Sequence, residues 1–292
     1  EYFNGYIHLK SITGASDELM REAGLYADRL SVNIEIPTEK GLKLLAPDKN
    51  RKDFIKPMEK VKNEIIQYKN EKSLLKKVPL YAPAGQSTQM IVGASGESDA
   101  EIMYTSAFFY KSFNLKRVYY SGYVPISHDN RLPSIGTAVP LLRENRLYQT
   151  DWLLRFYGFD VRELLNTEHP NLESDIDPKL SWALRNLDQF PVNINKADMR
   201  MLLRVPGLGV KSVHKIIAAR KYRKLNWENL KLIGASLNRA KYFITCDSRT
   251  FERKDRTAAQ LKGLIINGSK SKFRNELNTQ LNLFDHQNFQ PT

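Results

Sequence analysis

The chain has 292 residues, of which 41% are hydrophobic and 26% are charged, and its formal net charge at neutral pH is +13. This composition is typical of a globular protein with about two domains. No apolar run reaches the roughly 18 residues of a membrane span, and no signal segment precedes the first strand. The single cysteine, Cys246, excludes an internal disulfide. We therefore expect a cytoplasmic protein with no membrane partner.

Short apolar segments alternate with helical segments through the first 125 residues. We predict strands at residues 5–10, 30–36, 80–83 with 88–93, and 117–123. We predict helices at residues 16–27, 39–45, 57–77 and 98–113, with Ser16 and Thr38 as N-caps of the first two. Such alternation predicts a parallel sheet with right-handed crossovers.

The rest of the chain changes character. Residues 125–140 are rich in Pro, Gly and Ser and are predicted to form a loop, and residues 141–190 have a helical pattern. Helices are also predicted at residues 197–204, 211–220 and 238–244. From Asp247 onward the polar, basic composition favours a flexible tail.

A glycine-containing bend joins the first two of those later helices. Its sequence is Val205-Pro206-Gly207-Leu208-Gly209-Val210. Proline ends the first helix, and the two glycines permit a tight turn whose amides face outward at the positive start of the second helix. We therefore predict a phosphate-binding site formed by Gly207, Gly209, Val210, Lys211 and Lys215. The alternative is an ordinary interhelical turn in a basic globular domain.

The charge distribution supports a polyanionic partner. Residues 191–292 contain 20 lysines and arginines but only 7 aspartates and glutamates, whereas residues 1–190 contain 25 of each. The net positive charge is thus concentrated around the bend, which favours DNA as the partner. The segment at residues 230–237 is similar to a second, weaker hairpin, and two such hairpins can pack as a pair.

Three segments of the α/β part are Asn33-x-Glu35, GQSTQMIVGA at residues 85–94 and YYSGYVP at residues 119–125. These segments resemble the later strands of a radical SAM barrel. Together with the bend, they resemble the radical SAM proteins of DNA modification and repair, whose genes are associated with a uracil-DNA-glycosylase-like partner. The resemblance covers residues 1–246 and places the chain in the bacterial cytosol or nucleoid.

The resemblance implies an α/β fold: a partial (β/α) radical SAM-type barrel over residues 1–140, a helical connector over 141–190, an all-α helix-hairpin-helix domain over 191–246 and a tail over 247–292. It also implies S-adenosylmethionine and a [4Fe–4S] cluster as cofactors. Asn33 and Glu35 then contact the ribose or amino-acid part of S-adenosylmethionine. The other implied cofactor contacts are Ile91, Val92 and Gly93 near the adenine, with Tyr123 and Val124 beside the same molecule.

The cysteine content departs from that family. A radical SAM cluster is held by Cys-x3-Cys-x2-Cys, and this chain contains only Cys246. We expect the chain to be the C-terminal portion of a longer DNA-acting enzyme, with the first two barrel strands absent from these residues. The alternatives are a member of the family that has lost the cluster and a non-catalytic DNA-binding adaptor in repair. The five histidines have no metal-ligand spacing, so we assign neither metal ligands nor catalytic residues.

A short motif lies near the C-terminus. Residues 280–284, QLNLF, resemble the pentapeptide that binds the bacterial sliding clamp. In that interpretation Leu283 and Phe284 fill an apolar pocket, and Gln280 forms a hydrogen bond at its rim. The predicted clamp-binding residues are Gln280, Leu281, Leu283 and Phe284. The alternative is a chance pentamer or a helical turn that docks on its own domain.

Overall fold

The computed structural model describes residues 3–12, 14–75, 77–246, 249–250 (backbone only) and 256–268. The chain divides into two compact units, Glu1–Pro178 and Lys179–Thr292. In the first unit the strands are β1 His8–Ser11, β2 Arg29–Val32, β3 Gln86–Val92 and β4 Arg117–Gly122. The helices there are α1 Asp17–Tyr26, α2 Glu39–Leu45, α3 Lys52–Leu74, α4 Asp99–Phe113, α5 Leu141–Phe156 and α6 Val161–Leu164.

The four strands form one parallel sheet in chain order, β1-β2-β3-β4. This confirms the predicted mixed α/β class with a parallel sheet. Successive side chains of a strand point to opposite faces. One face is apolar and packs against helices, with its core formed by Leu30, Val32, Met90, Val92 and Val118, all 1% exposed or less. The other face carries polar side chains, of which Lys10, Arg29 and Gln89 are exposed or half-buried, whereas Ser31 and Ser87 are buried.

Several helix starts follow from local signals. Ser16 and Thr38 are N-caps, as predicted, and each side chain accepts a bond from an amide in its helix's first turn. Ser98 caps α4 and forms a capping box with Glu101. These residues make hydrogen bonds within their own helices, which explains why the sequence pattern was sufficient to predict where the helices start.

Several predicted bounds are wrong. Helix α3 begins at Lys52 rather than at residue 57, because its buried stripe of Phe54, Met58 and Val61 starts before Pro57. Residues 80–83 lie outside the sheet, with bends at residues 81–82 and a turn at residues 83–84, and the third strand begins only at Gln86. The second strand ends at Val32, although Glu35 still forms a parallel bridge with Met90.

The second unit contains more strand than expected. Its helices, from residue 178 on, are α7 Pro178–Arg185, α8 Met199–Arg204, α9 Val210–Ala219, α10 Trp227–Ile233, α11 Leu237–Ala240 and α12 Ala258–Gly268. Its strands are β5 Val192–Asn193, β6 Ile244–Cys246 and β7 Arg249–Thr250. β5 is parallel to β6, and β6 is antiparallel to β7. The prediction of an all-α domain is therefore wrong, because pairing of such short, distant strands leaves no periodicity in the sequence.

Two further expectations for this unit need correction. The helix predicted at residues 238–244 is α11, which ends at Ala240, and Ile244 lies in β6. The tail predicted to be flexible from Asp247 contains α12, whose Leu261 and Ile265 lie one turn apart and are both buried. Burial of that apolar pair stabilises a helix in a segment whose average composition is polar. Among the described helices, none combines the length and the hydropathy that a bilayer span requires.

Candidate nucleic-acid interface

The predicted bend is a tight turn between α8 and α9. Asp198 caps α8 by accepting a bond from the Met201 amide at 2.7 Å. In the turn, the Leu208 amide donates to the Val205 carbonyl at 3.2 Å, and Gly207 has a φ of +88°. A residue with a Cβ is strained in that left-handed conformation, so glycine is required at this point of the turn.

An apolar core holds the turn in place. Its members are 1% exposed or less: Leu202, Val205, Leu208, Val213 and Ile216. The Leu208 carbonyl also accepts a bond from the Lys179 ammonium at 2.6 Å. The backbone of the turn is thus fixed by packing and hydrogen bonds before any ligand binds.

The start of α9 differs from the starts of its neighbours. Its N-cap is Gly209, which supplies no side-chain bond, and its first turn contains no acidic residue. By contrast, the side chains of Asp198 and Asn226 cap α8 and α10. The first amides of a helix have no intrahelical acceptor and carry a partial positive charge. The amides of α9 are therefore suited to an external anion.

A second hairpin packs directly against the first. It consists of α10, a turn in which Gly234 has a φ of +90°, and α11. The Ser236 amide donates to the Gly207 carbonyl at 2.9 Å, and the Ser212 hydroxyl donates to the Gly234 carbonyl at 3.3 Å. The two hairpins that the sequence indicated are thus brought together by backbone contacts.

The lysines near the start of α9 are exposed. Lys211 and Lys215 lie one turn apart on its surface. Within the described ranges, no carboxylate forms an ion pair with either lysine. Residues 191–246 contain twelve lysines and arginines against two acidic residues. Lys211 and Lys215, beside the uncapped start of α9, create a local field that attracts a polyanion.

The residues assigned by resemblance to a cofactor lie in the first unit. The Asn33 amide donates to a Glu35 carboxylate oxygen at 2.9 Å and accepts from the Ser31 hydroxyl at 2.7 Å. Glu35 has a φ of +54°, and its backbone bonds Gln89 and Ile91 of β3. A carboxylate and an amide are thus held side by side beyond the end of β2.

The other assigned residues surround the end of β3. The Tyr123 amide extends the ladder by donating to the Val92 carbonyl at 2.9 Å, and Val124 is 56% exposed. The Gly93 amide donates to the Glu97 carboxylate at 2.6 Å. Backbone bonds therefore bring Ile91, Val92 and Tyr123 to the same end of the sheet as Glu35, and Gly93 directly follows β3 there.

Sequence reasoning missed the ionic cluster behind this edge. Arg143 on α5 donates to an Asp99 carboxylate oxygen at 2.6 Å and lies 3.5 Å from a Glu97 carboxylate oxygen. Both carboxylates are buried. The cluster orients the loop between β3 and α4, which is a structural role. No local sequence motif indicates the cluster, because Arg143 is more than forty residues from its partners in the chain.

The polar sheet face contains further residues to which the sequence assigned no role. Lys10 donates to Gln89 at 2.9 Å, and Arg29 donates to the Tyr119 hydroxyl at 3.3 Å. His8 lies 3.3 Å from the Ser87 hydroxyl, and burial lowers its pKa, with a further contribution from the charges of Arg29 and Lys10. The alternation of polar residues in the strands was the available signal.

Two further features are the side chains that could hold a metal ion and the clamp-like motif. Among the described residues, no group of three or more His, Cys, Asp or Glu side chains is arranged to hold a metal ion. Cys246 is buried, and its thiol donates to the Leu225 carbonyl at 2.8 Å. The clamp-like motif at residues 280–284 lies outside the described residues.

Comparison with known proteins gives a distant similarity. No family model matches the chain, and no solved structure matches it. The chain is similar to the Holliday junction branch migration complex subunit RuvA of Pseudomonas paraeruginosa and of Pseudomonas aeruginosa strains LESB58 and UCBPP-PA14. The identity is 29% over 121 residues, which cover 38% of this chain and 56% of each relative. The chain thus spans about half the length of the curated relatives that it matches.

Proposed function

We propose that this protein binds DNA without sequence preference, through the bend at residues 205–209 and the start of α9, and that it acts in DNA recombination or repair. The observation that carries the proposal is the uncapped start of α9 beside the unpaired Lys211 and Lys215. The similarity to RuvA, whose name refers to the Holliday junction, supports the same class of partner.

The proposed contact is with phosphate. Amides at a helix start form directional bonds to phosphate oxygens, and lysines add point charges. Contacts with the sugar-phosphate backbone position a protein on DNA but do not read its bases. Binding through this surface is therefore expected to depend strongly on salt and weakly on sequence.

A charge-matched pair of variants tests this proposal. Lys211→Gln with Lys215→Gln should weaken binding to duplexes of unrelated sequence by similar factors, as measured by fluorescence anisotropy. Lys56→Gln with Lys69→Gln removes the same charge from the exposed surface of α3 and should leave affinity nearly unchanged. If both double variants bind like the wild type, or if the loss depends on sequence, the proposal is wrong.

We also propose that the α/β unit belongs to a DNA-acting radical SAM enzyme. Its support is the resemblance of the strand segments, together with four parallel strands in chain order, as in part of a (β/α) barrel. The paired Asn33 and Glu35 fit hydroxyl or ammonium groups, so they would hold the ribose or the amino-acid part of S-adenosylmethionine, with residues 91–93 and 123–124 near the adenine.

The residues of this chain do not fit a [4Fe–4S] cluster. Such a cluster needs three thiolates, and Cys246 is the only cysteine in the 292 residues. In this proposal the cluster ligands come from sequence outside these residues. Iron and sulfide analysis of the protein produced from the complete reading frame tests it: about four irons per chain support the enzyme, and no iron after anaerobic reconstitution contradicts it.

The single cysteine favours a second candidate, a non-catalytic adaptor in repair. The adaptor would join DNA to the sliding clamp through Gln280, Leu281, Leu283 and Phe284, or to a uracil-DNA-glycosylase-like protein. A pull-down with purified clamp tests the first partner: Leu283→Ala with Phe284→Ala should abolish capture. Capture that survives these substitutions means that the motif is accidental. A second pull-down, with the glycosylase-like protein, tests the other partner.

A further inference from the structure

One exposed face of α9, continued by the turn that follows the helix, carries a regular series of residues. Lys211, Lys215, Ala218 and Tyr222 recur at spacings of four, three and four, and all of them are exposed. That spacing places side chains on one face of a helix. The backbone continues in helical turns past the end of α9, since the Tyr222 amide donates to the Ala219 carbonyl at 3.1 Å. Tyr222 therefore continues the line of the two lysines.

Tyr222 lies in a short basic loop, residues 221–224, that is fastened at both ends. Before it, the Arg220 guanidinium donates to the carbonyls of Ile194 at 3.0 Å and Ala197 at 2.6 Å. After it, Leu225 is 1% exposed, and its amide donates to the Asn195 side chain at 2.8 Å. The position of the basic loop is thus determined by the fold of the unit.

The tyrosine is nevertheless 90% exposed. Tyrosine rings are usually at least partly covered, because the transfer of their apolar faces out of water is favourable. Its neighbours in the basic loop are Lys221, Arg223 and Lys224, none of which forms an ion pair within the part of the chain that the structure describes. An uncovered ring among unpaired cations is the combination that stacks bases of single-stranded nucleic acid while holding its backbone.

We propose that the exposed face of α9 and the basic loop bind a single-stranded DNA segment that continues from a duplex, and that Tyr222 stacks on one of its unpaired bases. This inference rests on the proposed function, because the duplex end is placed at the start of α9. Lys211 and Tyr222 are eleven steps apart along the chain, which corresponds to about 16 Å at the helical rise of about 1.5 Å per residue. That length corresponds to about five stacked nucleotides of one strand at about 3.4 Å each.

Two DNA substrates separate this site from the hairpin. One is a blunt 20-base-pair duplex, and the other is the same duplex with a ten-nucleotide single-stranded overhang that contains 2-aminopurine. Wild-type protein should bind the overhang substrate more tightly and quench the 2-aminopurine fluorescence. Tyr222→Ala should lower overhang affinity by about 5- to 150-fold, the range expected for loss of one stacked base. It should leave blunt-duplex affinity unchanged.

Two further variants control for ring chemistry and for surface tyrosines. Tyr222→Phe keeps the stacking face and should restore both affinity and quenching. Tyr26→Ala removes a tyrosine that is 71% exposed on α1 and should have no effect. Circular dichroism should show the same fold for all three variants, since each side chain is on the surface.

The outcomes separate this inference from the proposed function. If Tyr222→Ala binds the overhang like the wild type, or weakens blunt duplex equally, the inference is overturned, whereas a loss in the Lys211 and Lys215 double variant still supports the hairpin contact. If wild-type protein binds neither substrate at low salt, both the inference and the proposed function fail.

Discussion

Gly207 and Ser236 join the two hairpins: the Ser236 amide bonds the Gly207 carbonyl at 2.9 Å, and a Cβ at position 207 would lie 2.6 Å from the Ser236 carbonyl oxygen. Gly207 also has a φ of +88°. The residue therefore serves both the turn and the packing of the second hairpin. A substitution there should disturb stability as well as binding.

We predict that Gly207→Ala lowers the free energy of unfolding by about 2–3 kcal/mol, because backbone strain and a close contact with backbone atoms act together. Gly234→Ala is the matched control, since Gly234 has a φ of +90° but open space around it. It should cost only the strain of about 1 kcal/mol. Urea unfolding measures both variants, and equal losses would show that the contact with Ser236 is unimportant.

The salt dependence of DNA binding should report individual phosphate contacts. Removing one lysine that neutralises one phosphate reduces the slope of log K against log salt by about one. We expect that change for Lys211→Gln in a titration from low to moderate salt. A slope identical to that of the wild type would mean that this lysine does not contact the backbone.

The charged sheet face of the first unit should be visible in the titration of His8. Its pKa lies below the ordinary value because of burial and the charges of Arg29 and Lys10. Lys10→Gln should therefore raise this pKa, which NMR of the imidazole protons measures. Lys69→Gln, on the exposed surface of α3, should not. A fall in the pKa after Lys10→Gln would contradict the assigned cause.

The same shift has a consequence for stability. Because the folded state favours neutral His8, the unfolded state binds the proton more readily. The stabilising contribution is present above the unfolded pKa of about 6.5 and is lost as the pH falls through the lower folded pKa. His8→Gln removes this titration. The stability of the variant should therefore fall less steeply than that of the wild type as the pH decreases below about 6.5, as measured by thermal unfolding.

The ionic cluster at Arg143 should be important for the stability of the first unit. Arg143→Leu leaves the buried carboxylates of Glu97 and Asp99 without their partner, and loss of such a partner typically costs about 3–5 kcal/mol. Because the Arg143 side chain is 26% exposed, we expect the lower end of that range. Lys43→Leu removes one member of an exposed pair with Glu39 and should change stability by less than about 0.5 kcal/mol. Similar losses for the two variants, measured by denaturant unfolding, would contradict a special role for Arg143.

Local chemistry made part of this protein predictable from its sequence. Ser16 and Thr38 cap helices through bonds to amides three residues away, and the Pro-Gly bend at residues 205–209 joins α8 to α9, as predicted. The concentration of positive charge in the last hundred residues is also a property of the sequence itself. These features depend on neighbours along the chain or on composition.

Long-range packing decided the rest. The pairing of Val192 with Ile244, the bridge of Glu35 to Met90 and the bonds of Arg143 to the β3–α4 loop join residues far apart in the chain. Each depends on which segments meet in three dimensions, because burial and hydrogen bonding between distant groups outweigh local propensity. The exposure of Tyr222 beside the lysines of α9 is of the same kind: the sequence contains the residues, but only the folded unit leaves that ring uncovered.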